Sequence, residues 1–240
     1  MRWLVLFLIL AGPTLMGTAR AQPANPQAAP EAAPPQATNP QSPNPQSPAS
    51  GPRPAAPPAD AVAAPGKPGW TVDERNGCWV WNPNPQVEET VFWTGPCEAG
   101  PAQGDGLLEW RYVEAGEPRG ERYVGSMARG RMHGIGTFLD AQGAVYQGEW
   151  QEGREQGRGL RVWATGRYDG EWREGMRHGR GIMFWINGNL FRGEFREDRP
   201  EGLGEYFSVE GGWFRGAWLA GCFREGDRQA AIGRPLEECP

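Results

Sequence analysis

The sequence predicts an all-β protein: an elongated single-sheet solenoid of stacked β-hairpin repeats, preceded by a signal peptide and a disordered Pro/Ala-rich linker. Three observations carry that reading. The 36 Gly and 24 Pro of the 240 residues are segregated, with 16 Pro and 5 Gly in residues 1–69, against 31 Gly, 8 Pro and 11 of the 12 Trp in residues 70–240. The glycines of the second part recur at a spacing near 23 residues. All 4 Cys fall in that part, two near each of its ends. One residue in four is thus a poor helix former, which disfavours a helical bundle.

The first element is a targeting segment. Met1 and Arg2 precede the apolar run Trp3 to Leu10, followed by Gly12, Pro13 and Gly17 and then by Ala19-Arg20-Ala21. A charged start, a short apolar core, a helix breaker and a small-x-small site make residues 1–21 a secretory signal peptide cleaved after Ala21. About 15 apolar residues fall short of the roughly 20 that span a bilayer. No Cys follows the run to carry a lipid, so the mature chain is expected to be exported, periplasmic or secreted. Residues 22–69 are almost wholly Pro, Ala, Gln, Asn and Ser, with Glu31, Arg53, Asp60 and Lys67 the only charges. Such a composition cannot offset the entropy of ordering, so a disordered spacer with polyproline II character is expected.

Residues 70–240 read as one β domain governed by a repeat. Aligned on an aromatic with Gly two residues later, the segments run Tyr146-Gln-Gly148-Glu-Trp150-Gln-Glu-Gly153-Arg-Glu-Gln-Gly157-Arg-Gly159 and Tyr168-Asp-Gly170-Glu-Trp172-Arg-Glu-Gly175-Met-Arg-His-Gly179-Arg-Gly181. Before them comes Tyr123-Val-Gly125-Ser-Met127 with Gly130, Gly134 and Gly136; after them come Phe191-Arg-Gly193-Glu-Phe195 and Phe214-Arg-Gly216-Ala-Trp218. Trp93-Thr-Gly95-Pro-Cys97 keeps the spacing. The starts lie near 93, 123, 146, 168, 191 and 214. This pattern resembles the MORN (membrane occupation and recognition nexus) repeat over residues 93 to about 226, departing from it only in the end copies. The resemblance implies stacked hairpins.

Elementary geometry leads to the same place. In Tyr146-x-Gly148-x-Trp150 the large residues and the Gly share one parity, so a strand puts them on one face and Gln147, Glu149 and Gln151 on the other. A Gly between two aromatics leaves a slot for a ring from a neighbouring repeat. The Gly-x-Gly strand repeats the device, with Gly179, Gly181, Met183 and Trp185 expected on one face. Gly153, Gly166, Gly175 and Gly188 are expected in turns of positive φ.

The ends need caps. Residues 70–92 are expected to cap the N-terminus, with Cys78-Trp79-Val80-Trp81 and Thr90-Val91-Phe92-Trp93 forming a hairpin across Asn82-Pro-Asn-Pro85. Residues 222–240 are expected to fold back as the C-terminal cap. Exported cysteines pair. Stacking five repeats would separate the two Cys groups by roughly 50 Å, whereas a disulfide tolerates Cα atoms only about 7 Å apart. The solenoid therefore demands Cys78–Cys97 and Cys222–Cys239.

Chemistry for catalysis is sparse. The two histidines, His133 and His178, share one repeat position before Gly-x-Gly, which points to a turn role and leaves no His for a triad. No metal-ligand or nucleotide-loop spacing is present, so no cofactor, metal or small-molecule substrate is expected. Glu149, Glu171 and Glu194 recur on the solvated face as a carboxylate row that would suit a cation or a basic partner. The competing reading is that Arg173, Arg192 and Arg196 neutralise it. Residues 70–240 carry 20 basic and 27 acidic side chains, a net of −7. That excess opposes nucleic acid and anionic lipid alike.

The functional expectation is a non-enzymatic interaction or scaffold module of the cell envelope, its partner another envelope protein. A glycan or cell-wall surface and a peripheral membrane surface are the alternatives. Trp110, Trp163, Trp185 and Trp213 are the candidate contact residues, with core packing as their competing role.

Overall fold

The computed structural model describes residues 56–57, 61–97 and 100–240. The expected signal peptide, and residues 22–55 and 58–60 of the expected linker, lie outside the described residues. In chain order the strands are β1 (Gly69–Val72), β2 (Trp79–Asn82), β3 (Thr90–Trp93), β4 (Gly104–Glu114), β5 (Glu117–Ala128), β6 (Arg131–Leu139), β7 (Val145–Gln151) and β8 (Arg154–Trp163). They continue as β9 (Gly166–Arg173), β10 (Met176–Trp185), β11 (Leu190–Arg196), β12 (Arg199–Ser208), β13 (Gly212–Leu219), β14 (Cys222–Glu225) and β15 (Arg228–Ala231). β3 to β15 form one open 13-stranded antiparallel sheet in strict sequence order, and β1 and β2 pair separately. Twelve strand steps place the edges about 58 Å apart along the hydrogen-bonding direction. Among the described residues no helix is long and apolar enough to cross a membrane.

The sheet is a meander because its sequence makes tight turns at regular intervals. Glu152-Gly153, Glu174-Gly175 and Ala220-Gly221 all have positive φ at both positions, the backbone of the two-residue turn that matches strand twist. Glu197-Asp198 adopts the same conformation without a glycine, at φ 49 and 69. Each turn amide then reaches back to the preceding hairpin: Gly153 to Met132 O (2.9 Å), Gly175 to Glu155 O (2.9 Å), Asp198 to Arg177 O (3.1 Å) and Gly221 to Pro200 O (2.8 Å). This ladder locks successive hairpins in register at their tips. Gly166 is no turn residue; it lies in β9 without positive φ, where a Cβ would strike the carbonyl of Phe184.

A line of glycines crosses the sheet, one on each strand from β4 to β13. Gly106 faces Gly125, then Gly136, Gly148, Gly159, Gly170, Gly181, Gly193, Gly204 and Gly216, each register-paired with the next. The rings that need this space come from the same repeat, not from a neighbour as expected. A Cβ on Gly148 would lie 2.6 Å from the Tyr146 hydroxyl, and one on Gly159 would lie 2.5 Å from Tyr146 Cζ. Tyr146 thus leans over two glycines, and its hydroxyl donates to Glu149 O (3.0 Å); Tyr168 repeats the bond to Glu171 O (3.0 Å). The second aromatic keys onto the glycine backbone, Trp150 Nε1 donating to Gly136 O (3.2 Å) and Trp172 Nε1 to Gly159 O (3.1 Å).

Ring edges then interlock along the sheet. Tyr146 meets Trp150 (5.1 Å) and Trp172 (5.3 Å), Tyr168 meets Trp172 (5.2 Å) and Phe195 (5.0 Å), and Phe191 meets Phe195 (5.1 Å) and Trp218 (5.2 Å). Each first ring touches its own second ring and that of the next repeat. Edge-to-face pairs add about 0.5–1.5 kcal/mol each beyond the apolar area they bury, so the single sheet needs no second layer on this face.

The Gly-x-Gly strand differs from its expected parity. Pairing jumps from His178↔Glu171 to Gly181↔Gly170, leaving Gly179 and Arg180 as a β-bulge. The same irregularity sets Gly157 and Arg158 aside on β8, after Gly148↔Gly159. Gly157 and Gly179 have φ 63 and 54, so the first glycine of the motif makes the bulge and only the second joins the inner face. His133 and His178 therefore sit in strands just ahead of bulges, not in turns.

Both disulfides form as the solenoid demands, Cys78–Cys97 and Cys222–Cys239, each with Cα atoms 5.6 Å apart. The N-terminal cap is threaded differently from the expected hairpin. β2 pairs with β1, and β3 pairs with β4. Asn82 stops β2 by holding Asn84 N–H (2.9 Å) on its Oδ1, next to two prolines without amide protons. Asp73, 1% exposed, and Asn76 then satisfy the free edge of β3: Asp73 Oδ2 accepts Trp93 N–H (2.8 Å) and Asn76 Nδ2 donates to Trp93 O (3.0 Å). The packed region also reaches into the stretch expected to be disordered. Ala63 N–H donates to Trp70 O (3.0 Å), and a Cβ on Gly69 would lie 2.5 Å from Ala63 N.

Candidate binding face

Because the rings and glycines consume one face, the residues between them point to the other. Of the four candidate tryptophans, only Trp213 reaches that outer face, where it is 41% exposed. Phe207 packs beside it (5.2 Å) and the Arg215 guanidinium stacks over it (4.5 Å). Trp110 is core: it is 4% exposed and meets Phe138 edge-on at 6.2 Å. Trp163 and Trp185 are half-buried against the aromatic core, Trp185 touching Tyr206 at 6.1 Å.

The glutamate row exists but serves the backbone. Glu149 Oε1 accepts Arg158 N–H (2.8 Å) and Glu171 Oε1 accepts Arg180 N–H (3.1 Å), each tying down the bulge opposite. Glu194 faces the equivalent bulge, its Oε2 lying 2.7 Å from where a Cβ of Gly202 would be. Ion pairs of these glutamates with Arg173, Arg192 and Arg196 do not form; amide protons hold Glu149 and Glu171 instead.

An apolar stripe on this face was not foreseen. Leu139, Val145, Val162, Arg167, Phe184, Leu190, Phe207 and Trp213 are consecutive register partners, one per strand from β6 to β13. Arg167 interrupts it only in name, since its guanidinium lies 4.4 Å over the Phe184 ring. Val162 and Trp213 are 42% and 41% exposed. The signal was present in the sequence: stripe residues stand one before each repeat's first aromatic and three after the last glycine of Gly-x-Gly, both of outer parity.

Beside the stripe, an open groove of about 1020 Å³ follows the glycine line from β8 to β13. Arg158, Asp169, Arg180, Ile182, Arg192 and Leu203 are among its walls.

The inner face has one irregularity of its own. Glu155, 7% exposed, takes a place that is Met132, Arg177 and Pro200 in other repeats. Its Oε1 accepts from Arg161 Nη1 (3.0 Å), its Oε2 has no partner, and burial pushes its carboxyl up to about 7.

A meander of hairpins, each repeating ring, glycine line, bulge and tip turn, defines a β-hairpin repeat protein. The family model for the MORN repeat matches residues 123–145, 146–166, 168–190 and 191–213. Residues 123–213 are therefore four MORN repeats. The copies at 93 and 214 lie outside the match, yet Trp93 still roofs Gly95 and Gly106, with its Cζ3 2.7 Å from a Cβ on Gly106. No curated protein matches the chain.

Proposed function

We propose that this protein is an exported, non-catalytic binding platform of the cell envelope, and that its outer sheet face docks another protein. The observation that supports this reading is the apolar stripe, which crosses eight strands without any layer of this chain's described residues upon it. Interfaces draw their affinity from such rows of rings and branched side chains around a few anchors, here Trp213 and Phe207. Two disulfides favour an oxidising compartment, and the segment ending at Ala21 favours export with cleavage there. Polar groups arranged in rows of like residues favour binding over catalysis. The net charge of −7 over residues 70–240 counts against adsorption to anionic lipid.

Photo-crosslinking in the native envelope, followed by mass spectrometry, tests the proposal. Crosslinkers placed at Phe184, Phe207 and Trp213 are expected to capture one common protein, and one at Met176, on the hairpin-tip edge, is not. Trp213→Ala should weaken the purified complex about tenfold or more. Crosslinks to lipid alone, or capture only from Met176, would refute it.

A further inference from the structure

We propose that the hairpin-tip edge beside the N-terminal cap takes up an extended strand of a partner other than the one docked on the stripe, a strand that prolongs β2 and sets an aromatic ring against Arg154. The tips form a regular series. Each tip amide bonds to the preceding hairpin at the same length, Gly130 to Ala102 O, Gly153 to Met132 O and Gly175 to Glu155 O, all 2.9 Å. The tip carbonyls are spare to the hairpins themselves, and the chain covers them from both ends. β2 runs across the first tips, with Trp79 N–H donating to Gly100 O (3.0 Å) and Trp81 N–H to Gly130 O (2.7 Å). At the far end Ile232 N–H donates to Gly221 O (2.8 Å), and Arg177 Nη2 donates to Asp198 O (3.0 Å). Between them, Gly153 O and Gly175 O accept no hydrogen bond among the described residues. β2 stops short of both at Pro83, which has no N–H to offer.

β2 supplies both the register and the side chain. Its alternate amides meet successive tips, so a strand continuing past Pro83 brings one amide to Gly153 O and another, two residues on, to Gly175 O, as in strand addition to a sheet edge. Trp81, which bonds to Gly130 O, also lies under a guanidinium: Arg131, the residue after Gly130, sits 4.1 Å over its ring. Arg154 follows Gly153 in the same way. Both arginines keep an ion pair, Arg131 with Glu152 (3.8 Å) and Arg154 with Glu174 (3.1 Å), so charge does not choose the ligand. What differs is the ring. The Arg131 side chain is 25% exposed, and that of Arg154 is 63% exposed. An open groove of about 790 Å³ lies where a second ring would go, with Trp81, Pro68 and Pro83 on one side and Glu152, Gly153 and Arg154 on the other. No described residue fills it, because the chain turns away through Asn82, whose Oδ1 holds Asn84 N–H (2.9 Å). The ligand is therefore an extended segment with an aromatic residue at the Gly153 position, and with no proline there or two residues later.

The test uses the mature chain and a synthetic peptide, acetyl-Thr-Trp-Thr-Val-Thr-Lys-amide, titrated by nuclear magnetic resonance. Binding is expected to saturate below millimolar concentration and to shift the amide resonances of Gly153, Arg154 and Gly175. Methylating the Trp nitrogen of the peptide backbone removes the donor to Gly153 O and should weaken binding about tenfold; Ala in place of that Trp should do the same. Arg154→Ala should lose about fivefold with an unchanged thermal midpoint, while Arg154→Lys, which keeps a cation beside the ring, stays within about threefold of wild type. Phe207→Ala, which impairs the protein-docking stripe, should leave the peptide affinity within twofold, so the two sites fail independently. No saturation at millimolar peptide, equal binding of the methylated peptide, or shifts confined to Phe207 and Trp213 would overturn the proposal. So would sedimentation showing a dimer that Arg154→Ala dissociates, since a second copy would then be the occupant.

Discussion

Glu155 makes the stability of the sheet depend on pH in a direction opposite to that of most carboxylates. Its side chain sits on the aromatic face, with burial the largest influence raising its carboxyl, Arg161 pulling it back down and Asp198 adding to the rise. The carboxyl moves from 4.5 to about 7. The folded state then holds a proton that the unfolded chain would release. Stability from this proton is full below pH 4.5, is lost as pH rises through 7, and amounts to about 3 kcal/mol at 1.36 kcal/mol per unit. For a domain of this size that is roughly 10 °C in thermal midpoint. The assay is urea denaturation of wild type and Glu155→Gln at steps from pH 5 to pH 8, with the difference between the two chains cancelling other titrations. The Gln variant keeps an oxygen for Arg161, so it should lie within about 1 kcal/mol of wild type at pH 5 and exceed it by up to about 3 kcal/mol at pH 8. Replacing the pair by Glu155→Met with Arg161→Phe, the residues of Met132 and Phe138 in the preceding repeat, should likewise remove the pH dependence without loss at neutral pH. A constant difference between wild type and Glu155→Gln across this range would refute the reasoning.

Other expectations follow from the inner face and the tips. Gly159→Ala would force a Cβ inside contact distance of the Tyr146 ring, which Trp150 and Trp172 pin at 5.1 and 5.3 Å; a loss of about 2–3 kcal/mol is expected in urea denaturation, and one below 0.5 kcal/mol would disprove the ring-over-glycine account. Asp198→Ala keeps a left-handed turn residue but loses the acceptor for Arg177 N–H (3.0 Å) and Nε (2.9 Å), so it should lower the melting midpoint more than Asp198→Gly, which relieves the turn; the opposite order would show that the turn backbone carries no strain. Reducing both disulfides, which close loops with sequence separations of 19 and 17, should cost about 3 kcal/mol each. Hydrogen exchange should then rise first in β1–β3 and β14–β15, and uniform loosening of the central repeats would contradict their capping role.

The fold was legible because its determinants are local and periodic. Ring, glycine and turn recur in sequence at the interval at which they recur in space, so Tyr146, Gly148 and Trp150 announce their shared face before any contact is known. The disulfides followed from the length of the stack. What failed to show were features that break the period of two. The bulges at Gly157 and Gly179 look like ordinary strand glycines in a parity count, and only the carboxylate opposite, Glu149 or Glu171, reveals their purpose. The N-terminal cap was misread because strand propensity identifies Trp79–Asn82 and Thr90–Trp93 but not their partners, which are set by groups elsewhere in the chain such as Asp73, on Trp93 N–H, and Gly130, whose carbonyl accepts Trp81 N–H (2.7 Å). At the candidate site, parity counted from the nearest glycine separates the four tryptophans: Trp213 falls on the outer face, whereas Trp110, Trp163 and Trp185 take the core role that competed with contact in the sequence reading.

Parity also explains how this sheet separates folding from recognition. Rings, glycine carbonyls and tip amides satisfy each repeat on its inner face and along one edge, so the outer side chains are left nearly free of structural duty. Successive repeats accordingly keep the paired rings and the glycine line of the inner face alike and let the outer residues diverge: Val145, Arg167, Leu190 and Trp213 occupy one outer position, and Ile135, Arg158, Arg180 and Leu203 another. An outer position that only maintained solubility would hold interchangeable polar residues. Here the first series contributes three apolar residues, and an arginine stacked over Phe184, to one row across the sheet, and the second concentrates arginine in two adjacent repeats and aliphatic residues in the repeats around them. Glu149, Glu171 and Glu194 are the exception that fits, since they recur in three successive repeats and the first two hold the bulge amides. Constancy on this face thus marks structure, and variation that is spatially organised is what the docking proposal rests on.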